Sequence, residues 1–138
     1  MADSDNTNGS GYIKVLYLDD DVAFIETSKL MLLDLNSNLS IESCTSVDEA
    51  LNKLSEKRYD VIISDYEMPH KNGLDFLKTL KDKNINVPFI LFTGKGREEV
   101  AIQALNLGAD GYHNKQGSPE TVYGELTHRL RTVVSYYK

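Results

Sequence analysis

The chain has little cysteine: Cys44 is the only one among its 138 residues. A single cysteine excludes an internal disulfide and a cysteine-based zinc site. Because no disulfide can form within the chain, a reduced, cytoplasmic compartment is the simplest expectation. Cys44 itself is expected to be a small core residue.

Long apolar runs and an excess of positive charge are also missing. No apolar stretch approaches the roughly 20 residues that a membrane-spanning helix needs. Lys and Arg number 15 against 21 Asp and Glu, giving a formal net charge of −6. Such a chain repels phosphate, which disfavours a general nucleic-acid or anionic-membrane surface. We therefore expect neither a nucleic acid nor a membrane as partner.

Residues 1–11 are rich in Asp, Asn, Ser and Gly and lack the apolar core of a signal peptide. They are predicted to form a disordered N-terminal tail. The remainder, residues 12–138, has the length and composition of one compact domain. No linker or internal repeat is apparent, so any output domain is expected to lie outside this sequence.

Short apolar runs alternate with longer segments of helical period. Ser46–Glu49 has the pattern of a capping box, and Ser118 followed by Pro119 is typical of a helix start. In the first helix, a stripe at helical spacing includes Phe24 and Leu35, and the stripe of the last helix consists of Val122, Leu126, Leu130, Val133 and Tyr137. Asn72-Gly73 is interpreted as a turn. The predicted strands are Tyr12–Leu18, Leu39–Thr45, Asp60–Ser64, Phe89–Phe92 and Gly111–Asn114.

The hydrophobic content of the strands indicates their order. The first, third and fourth strands are continuously apolar, as central strands covered on both faces should be, whereas the second and fifth are mixed. Alternating strands and helices favour right-handed parallel units. The sequence therefore predicts an α/β fold with a doubly wound five-stranded parallel sheet in the order 2-1-3-4-5 and five helices.

Polar residues follow four of these strands. Asp19 and Asp20 come after the first, Asp65 after the third, Thr93 ends the fourth and Lys115 follows the fifth. In such a sheet the ligand crevice lies beyond the carboxyl ends of the strands, where the strand order reverses. Grouped carboxylates need a cation or a chemical purpose to offset their charge, so the sequence indicates a magnesium-assisted phosphoryl site.

Four motifs in this order resemble the response-regulator receiver domain of two-component signalling, which is CheY-like and flavodoxin-like in fold. The resemblance extends from about Tyr12 to Tyr137. Its motifs are Leu18-Asp19-Asp20-Asp21, Ser64-Asp65-Tyr66-Glu67-Met68-Pro69 with Asn72-Gly73, Phe92-Thr93-Gly94, and Gly108-Ala109-Asp110-Gly111-Tyr112 leading to Lys115.

The resemblance implies that Asp65 accepts a phosphoryl group from a phosphohistidine of a sensor histidine kinase or histidine phosphotransfer protein. It implies that Asp20 and Asp65 bind Mg²⁺ directly and Asp19 mostly through water, with the backbone carbonyl of Glu67 as a further ligand. A hard cation with oxygen ligands suits this chemistry. The domain is expected to phosphorylate itself and lose the group slowly, without being an enzyme otherwise.

By the same resemblance, Thr93 and Lys115 contact the other phosphoryl oxygens, and Tyr112 turns inward behind Thr93. These movements alter the face formed by the fourth helix, fifth strand and fifth helix. That face would bind a downstream effector or a second copy of the chain.

Two features depart from the family pattern or vary within it. Gln116 follows Lys115 where many receivers have a cis-linked proline, so we expect either a trans path eased by Gly117 or a strained bond. Glu67 and Lys95 flank the expected path of the hydrolytic water. We hypothesise that this pair prolongs the phosphorylated state.

Three alternatives remain open from the residues. The acidic triplet beginning at Asp19 can be a helix cap with solvated neighbours. A receiver-like adaptor can act by association without phosphorylation. A phosphatase of the haloacid-dehalogenase type also forms an aspartyl phosphate, although its metal-binding acids follow the nucleophile instead of preceding it. The three histidines show no ligand spacing and are expected at the surface.

Overall fold

Strands and helices alternate along the chain in the computed structural model, which describes residues 11–94 and 98–137, the last two by their backbone only. The strands are β1 Ile13–Leu18, β2 Leu39–Cys44, β3 Val61–Ser64, β4 Phe89–Thr93 and β5 Gly111–Asn114. The helices are α1 Val22–Leu35, α2 Val47–Glu56, α3 Gly73–Asp82, α4 Glu98–Asn106 and α5 Pro119–Tyr137. Of the predicted tail, only Gly11 falls within the described residues.

The five strands form one parallel sheet in the order β2-β1-β3-β4-β5, which confirms the predicted order. Every residue of β3 and β4 is buried, while β2 and β5 at the edges are only partly covered. Tyr12 and Asp60 each precede a strand that was predicted to include them. The Asp60 carboxylate instead accepts a hydrogen bond from the backbone N–H of Lys14 at 2.8 Å.

Alternate residues of the strands face two separate cores. Leu16 and Leu18 of β1 point to the core covered by α2, α3 and α4, whereas Val15 and Tyr17 point to the core under α1 and α5. This alternation is the expected pleat of a strand buried on both faces. The parallel sheet therefore brings together the carboxyl ends of β1, β3, β4 and β5, where the predicted site residues lie.

Capping side chains determine where the helices begin, and the caps of α2 and α3 differ from the sequence interpretation. Asn72 and Asp75 form a complete capping box, so Asn72-Gly73 begins α3 and is not simply a turn. Ser46 caps α2 by accepting from the N–H of Glu49 at 3.1 Å. The Glu49 carboxylate, however, accepts from the N–H of Thr45 at 2.9 Å, so the predicted box is not closed on Ser46.

The stripe of α1 is buried through Ile25, Ser28 and Leu32, but Leu35 is 47% exposed. Its predicted burial was wrong, and Leu35 is the last residue of α1. The other long stripe, on α5, is buried as predicted at Val122, Leu126, Leu130 and Val133. The side chain of Tyr137, its last predicted member, lies outside the described residues.

A buried hydroxyl network joins α1, β1 and α5. The Tyr17 hydroxyl donates to Ser28 Oγ at 3.1 Å, and Ser28 Oγ shares a hydrogen bond with the Tyr123 hydroxyl at 2.8 Å. Burial is the main cause that raises the pKa of Tyr17 well above its ordinary value. Three elements are thus connected by polar groups that have no access to water.

The histidine prediction was wrong for one of the three residues. His70 and His128 are exposed, but His113 on β5 is half-buried. Its Nε2 atom is buried and has no hydrogen-bond partner among the described residues. Burial lowers the pKa of His113, and the nearby charge of Arg129 lowers it further.

Across the parts of the chain that the structure describes, no helix combines the length and the apolar character required to traverse a lipid bilayer.

Candidate functional site

Backbone hydrogen bonds extend the sheet by one residue at the edge where the polar side chains lie. The N–H of Asp19 donates to the carbonyl of Cys44 at 3.1 Å, and the N–H of Asp65 donates to the carbonyl of Leu18 at 2.9 Å. On the other side, the N–H of Lys115 donates to the carbonyl of Thr93 at 2.9 Å. The sheet ladder therefore sets where each of these side chains starts.

Three carboxylates meet at this edge. Asp19, Asp20 and Asp65 each offer one oxygen, and these oxygens lie within 4.8 Å of one another. Asp19 is fully buried and Asp65 is 7% exposed, whereas Asp20 faces solvent. The cluster therefore has two buried carboxylates in fixed positions and one solvent-exposed carboxylate. Such an arrangement suits a metal ion that also keeps coordination positions for water or a substrate oxygen.

One basic side chain lies against the two buried acids. Lys115 Nζ lies 2.7 Å from Asp19 Oδ2 and 3.5 Å from Asp65 Oδ2. Only 15% of the Lys115 side chain is exposed. One ammonium cannot neutralise two buried carboxylates, so the site retains a negative charge that a divalent cation can offset.

The electrostatics of Asp65 reflect the same imbalance. Burial raises the pKa of the Asp65 carboxyl above its ordinary value, and the charge of Asp19 raises it further. Lys115 opposes this rise, as do hydrogen bonds from the Tyr66 N–H, at 2.8 Å, and from the Thr93 hydroxyl. The Asp65 carboxylate thus lies where added positive charge stabilises its ionised form. A bound metal ion fits this donor set.

Thr93 was predicted to lie beside the acids, and it is 1% exposed at the end of β4 with its hydroxyl bonded to Asp65. The loop after β3 is held to the site by α3, because the Gly73 N–H donates to the Tyr66 carbonyl at 2.8 Å. Glycine is needed here, since a Cβ at position 73 would overlap the Asp65 carbonyl oxygen.

The remaining sequence predictions fall around this centre. Glu67 is exposed on the loop after Asp65, while Lys95 lies outside the described residues. Tyr112 is half-buried against the core under α2, α3 and α4. No cis peptide bond occurs among the described residues, so Lys115-Gln116 follows the trans path, and Gly117 has the positive φ of 123° that eases it.

An aromatic residue was missed as part of the site. Lys115 Nζ lies 4.3 Å from the centroid of the Phe24 ring and 5.9 Å from that of Phe92. The sequence showed Phe24 as one member of an apolar helical stripe. Its position three residues after Asp21, the helix N-cap, was the available signal, because that places it on the first turn beside the strand ends.

Comparison with known proteins supports the same assignment. Residues 15–127 match the family model described as "Response regulator receiver domain". Among curated proteins, the response regulator SaeR of Staphylococcus aureus is 35% identical over 97 residues. That match covers 70% of this chain and 42% of SaeR, so the chain corresponds to less than half the length of this relative.

Solved structures match over nearly the whole described chain. The Francisella response regulator 1452 receiver domain has 31% identity and a TM-score of 0.80, covering 91% of this chain and 99% of that one. The chemotaxis response regulator CheY4 of Vibrio cholerae has 29% identity and a TM-score of 0.73, with 86% and 98% covered. With this fold, the acidic edge and the family match, the chain belongs to the response regulator receiver domain family of two-component systems.

Proposed function

We propose that Asp65 is the phosphoacceptor of this receiver domain. One carboxylate oxygen of Asp65 attacks the phosphorus of a phosphohistidine, the P–N bond breaks, and the imidazole leaves while an acyl phosphate forms on Asp65. The observation that carries the proposal is the meeting of Asp65 with Asp19, Asp20 and Lys115 at the carboxyl edge of the sheet. Such transfer depends on positioning and charge stabilisation, which this edge supplies.

The cation in this proposal is Mg²⁺, which when bound offsets the charge of the approaching phosphoryl oxygens. Asp20 and Asp65 would hold it directly, Asp19 mostly through water, and the backbone carbonyl of Glu67 would be a further ligand. The exposed carboxylate of Asp20 supports its role as a direct ligand, and the 2.7 Å contact of Asp19 Oδ2 with Lys115 supports the indirect role of Asp19.

Thr93 and Lys115 would stabilise the phosphoryl oxygens. The Thr93 hydroxyl is already directed at the Asp65 carboxylate, and the Lys115 ammonium lies 3.5 Å from it. Both donors therefore need only small movements to reach oxygens attached to Asp65. Lys115 acts as a point charge and Thr93 as a neutral donor.

The partner on the input side would be a sensor histidine kinase or a histidine phosphotransfer protein in the cytoplasm. On the output side, movement of Thr93 would draw Tyr112 inward and change the face formed by α4, β5 and α5. The adjacency of β4 and β5, with Leu91 beside Tyr112 and Thr93 beside Asn114, supports a direct mechanical link. A downstream effector or a second copy of the chain would bind there.

Incubation with a small phosphodonor such as phosphoramidate tests the proposal. We expect an intact-mass gain of one phosphoryl group with Mg²⁺, no gain with EDTA, and no gain for Asp65→Asn. Asp48→Asn is the matched control, because Asp48 is an exposed aspartate on α2. A gain that survives in Asp65→Asn, or no gain in the unaltered protein, rejects the proposal.

The same experiment separates the alternatives. An adaptor that acts by association would show no Mg²⁺-dependent gain. A phosphatase would release inorganic phosphate from a phosphomonoester in repeated turnovers, which we do not expect. We expect instead at most one phosphoryl group per chain, lost slowly by hydrolysis.

A further inference from the structure

The Phe24 ring covers the ammonium group of Lys115. Lys115 Nζ lies 4.3 Å from the ring centroid, within the distance at which an aromatic face attracts a cation. The same nitrogen contacts Asp19 Oδ2 and lies near Asp65 Oδ2. An ammonium has three N–H groups, and the two carboxylates and the near ring face of Phe24 provide three partners for them, with the Phe92 ring farther away at 5.9 Å.

The ring itself is held in place by the core. Phe24 is half-buried on the first turn of α1, and its centroid lies 5.9 Å from that of Phe92. Phe92 in turn lies 6.0 Å from Tyr123, in an edge-on arrangement. The Phe24 ring is therefore held by Phe92 of β4, which in turn packs on Tyr123 of α5, and its position does not depend on the carboxylates.

This difference matters once a cation and a phosphoryl group enter the site. In the proposed arrangement the metal would bind Asp65 directly and Asp19 mostly through water, so both carboxylates that now hold Lys115 would be shared with a competing positive charge. A ring face is not a ligand for Mg²⁺, which takes oxygen ligands. The metal would therefore leave the aromatic contacts of Lys115 unchanged, and of these Phe24, at 4.3 Å, is nearer than Phe92, at 5.9 Å.

We propose that Phe24 is a positioning residue that keeps the flexible side chain of Lys115 over the phosphoacceptor while the carboxylates are occupied. This inference rests on the proposed function of Asp65. Phe24 acts through Lys115 and need not touch the phosphoryl group. A lysine stem has considerable rotamer freedom to lose, so a fixed ring that limits this freedom aids the transfer step.

A simpler role is also available to Phe24, as packing between α1 and β4. The two roles differ in what they require of the replacing side chain. Packing needs apolar volume, which Leu or Met supplies, whereas the interaction with Lys115 needs an aromatic face, which Tyr supplies. Phe89→Leu is the matched control, since Phe89 is a buried phenylalanine of β4 that packs on Phe76, away from Lys115.

The first test is made without a phosphodonor, by NMR of the Mg²⁺-loaded protein. The ring current of Phe24 should move the Lys115 Cε protons upfield in the unaltered protein and in Phe24→Tyr. In Phe24→Leu these resonances should return toward their random-coil position, while Phe89→Leu should leave them upfield. Phe24→Met replaces Phe24→Leu if the latter fails to fold. An unshifted Lys115 in the unaltered protein overturns the inference.

The second test measures phosphorylation rates at saturating Mg²⁺. We expect Phe24→Leu to be slower by about tenfold, the size of a partly desolvated cation–π contact, and Phe24→Tyr to remain near the original rate. In a Lys115→Met background, Phe24→Leu should cause no further loss. Two results overturn the inference: a Phe24→Tyr rate as low as that of Phe24→Leu, or a slowing of about tenfold by Phe24→Leu that persists in the Lys115→Met background. If the unaltered protein gains no phosphoryl group, the proposed function fails, and the NMR comparison still decides the contact.

Discussion

Gly73 supports the backbone that carries the phosphoacceptor, and Gly73→Ala tests this support. Gly73 is the first residue of α3, and its N–H donates to the Tyr66 carbonyl. A Cβ at position 73 would overlap the carbonyl oxygen of Asp65 and lie 2.8 Å from Leu91 Cδ1 and 3.2 Å from Tyr66 Cα. Two of these three atoms belong to backbone, so the clash cannot be relieved by a side-chain rotation alone.

The structure indicates the size of the effect. Forcing an extra methyl group into a packed region costs about 1–3 kcal/mol of unfolding free energy. For a chain of this length, that corresponds to a melting temperature lowered by roughly 4–12 °C. Relief must come from moving the Asp65 backbone, and a displacement near 1 Å at a reacting group can cost about a hundredfold in rate. We therefore expect phosphorylation to slow more than the lost stability alone explains.

Thermal unfolding followed by circular dichroism and the phosphorylation rate with phosphoramidate and Mg²⁺ are the two assays. Gly124→Ala is the matched control, because Gly124 lies within α5 and a Cβ there meets nothing within 4 Å. That control should gain about 0.5–1 kcal/mol from the better helix propensity of alanine, with an unchanged rate. A Gly73→Ala variant as stable and as fast as Gly124→Ala would refute the reasoning.

Three further predictions follow from the buried polar groups. Ser28→Ala should lower the free energy of unfolding, measured by urea denaturation, by about 1–3 kcal/mol, because two buried tyrosine hydroxyls lose their shared partner. As a control, replacement of the exposed Ser135 by alanine should change this free energy very little. Equal effects of the two substitutions would contradict the account. Folding raises the pKa of the Asp65 carboxyl, so its contribution to the free energy of unfolding is lost as pH rises through the folded pKa. Without metal, Asp65→Asn should therefore be more stable than the unaltered protein at pH 7 but not at low pH. A variant that is less stable at pH 7 would refute this prediction. Burial lowers the pKa of His113, so the free energy of unfolding should fall as pH decreases from about 6.5 through the folded pKa of His113. Titration of the His113 imidazole by NMR should show a midpoint below the ordinary histidine value, and a midpoint at or above that value would contradict this account.

The strand order was predictable because the apolar runs of central strands differ in kind from the mixed runs of the edges. The convergence of Asp65 with Asp19 and Lys115 then followed, since parallel strands end at the same edge of the sheet. Both inferences depend on patterns of hydrophobicity and on topology, which a sequence displays directly.

The details that escaped prediction depend on side-chain direction. Phe24 belonged to an apolar stripe, but nothing in the stripe indicates that its ring faces Lys115 instead of the core alone. His113 was expected at the surface because a lone histidine on an edge strand gives no sign of which face it occupies. Asn72 was interpreted as part of a turn, since asparagine before glycine is typical of both a turn and a helix N-cap.

Reductive trapping of the phosphorylated protein is the most direct measurement of the central claim. Borohydride cleaves an aspartyl phosphate and leaves homoserine at the modified position, which peptide mass spectrometry can locate. After treatment with phosphoramidate and Mg²⁺, the account predicts homoserine at position 65 and at no other aspartate. Homoserine at another position, or none at all in a protein that has gained a phosphoryl group, would contradict it.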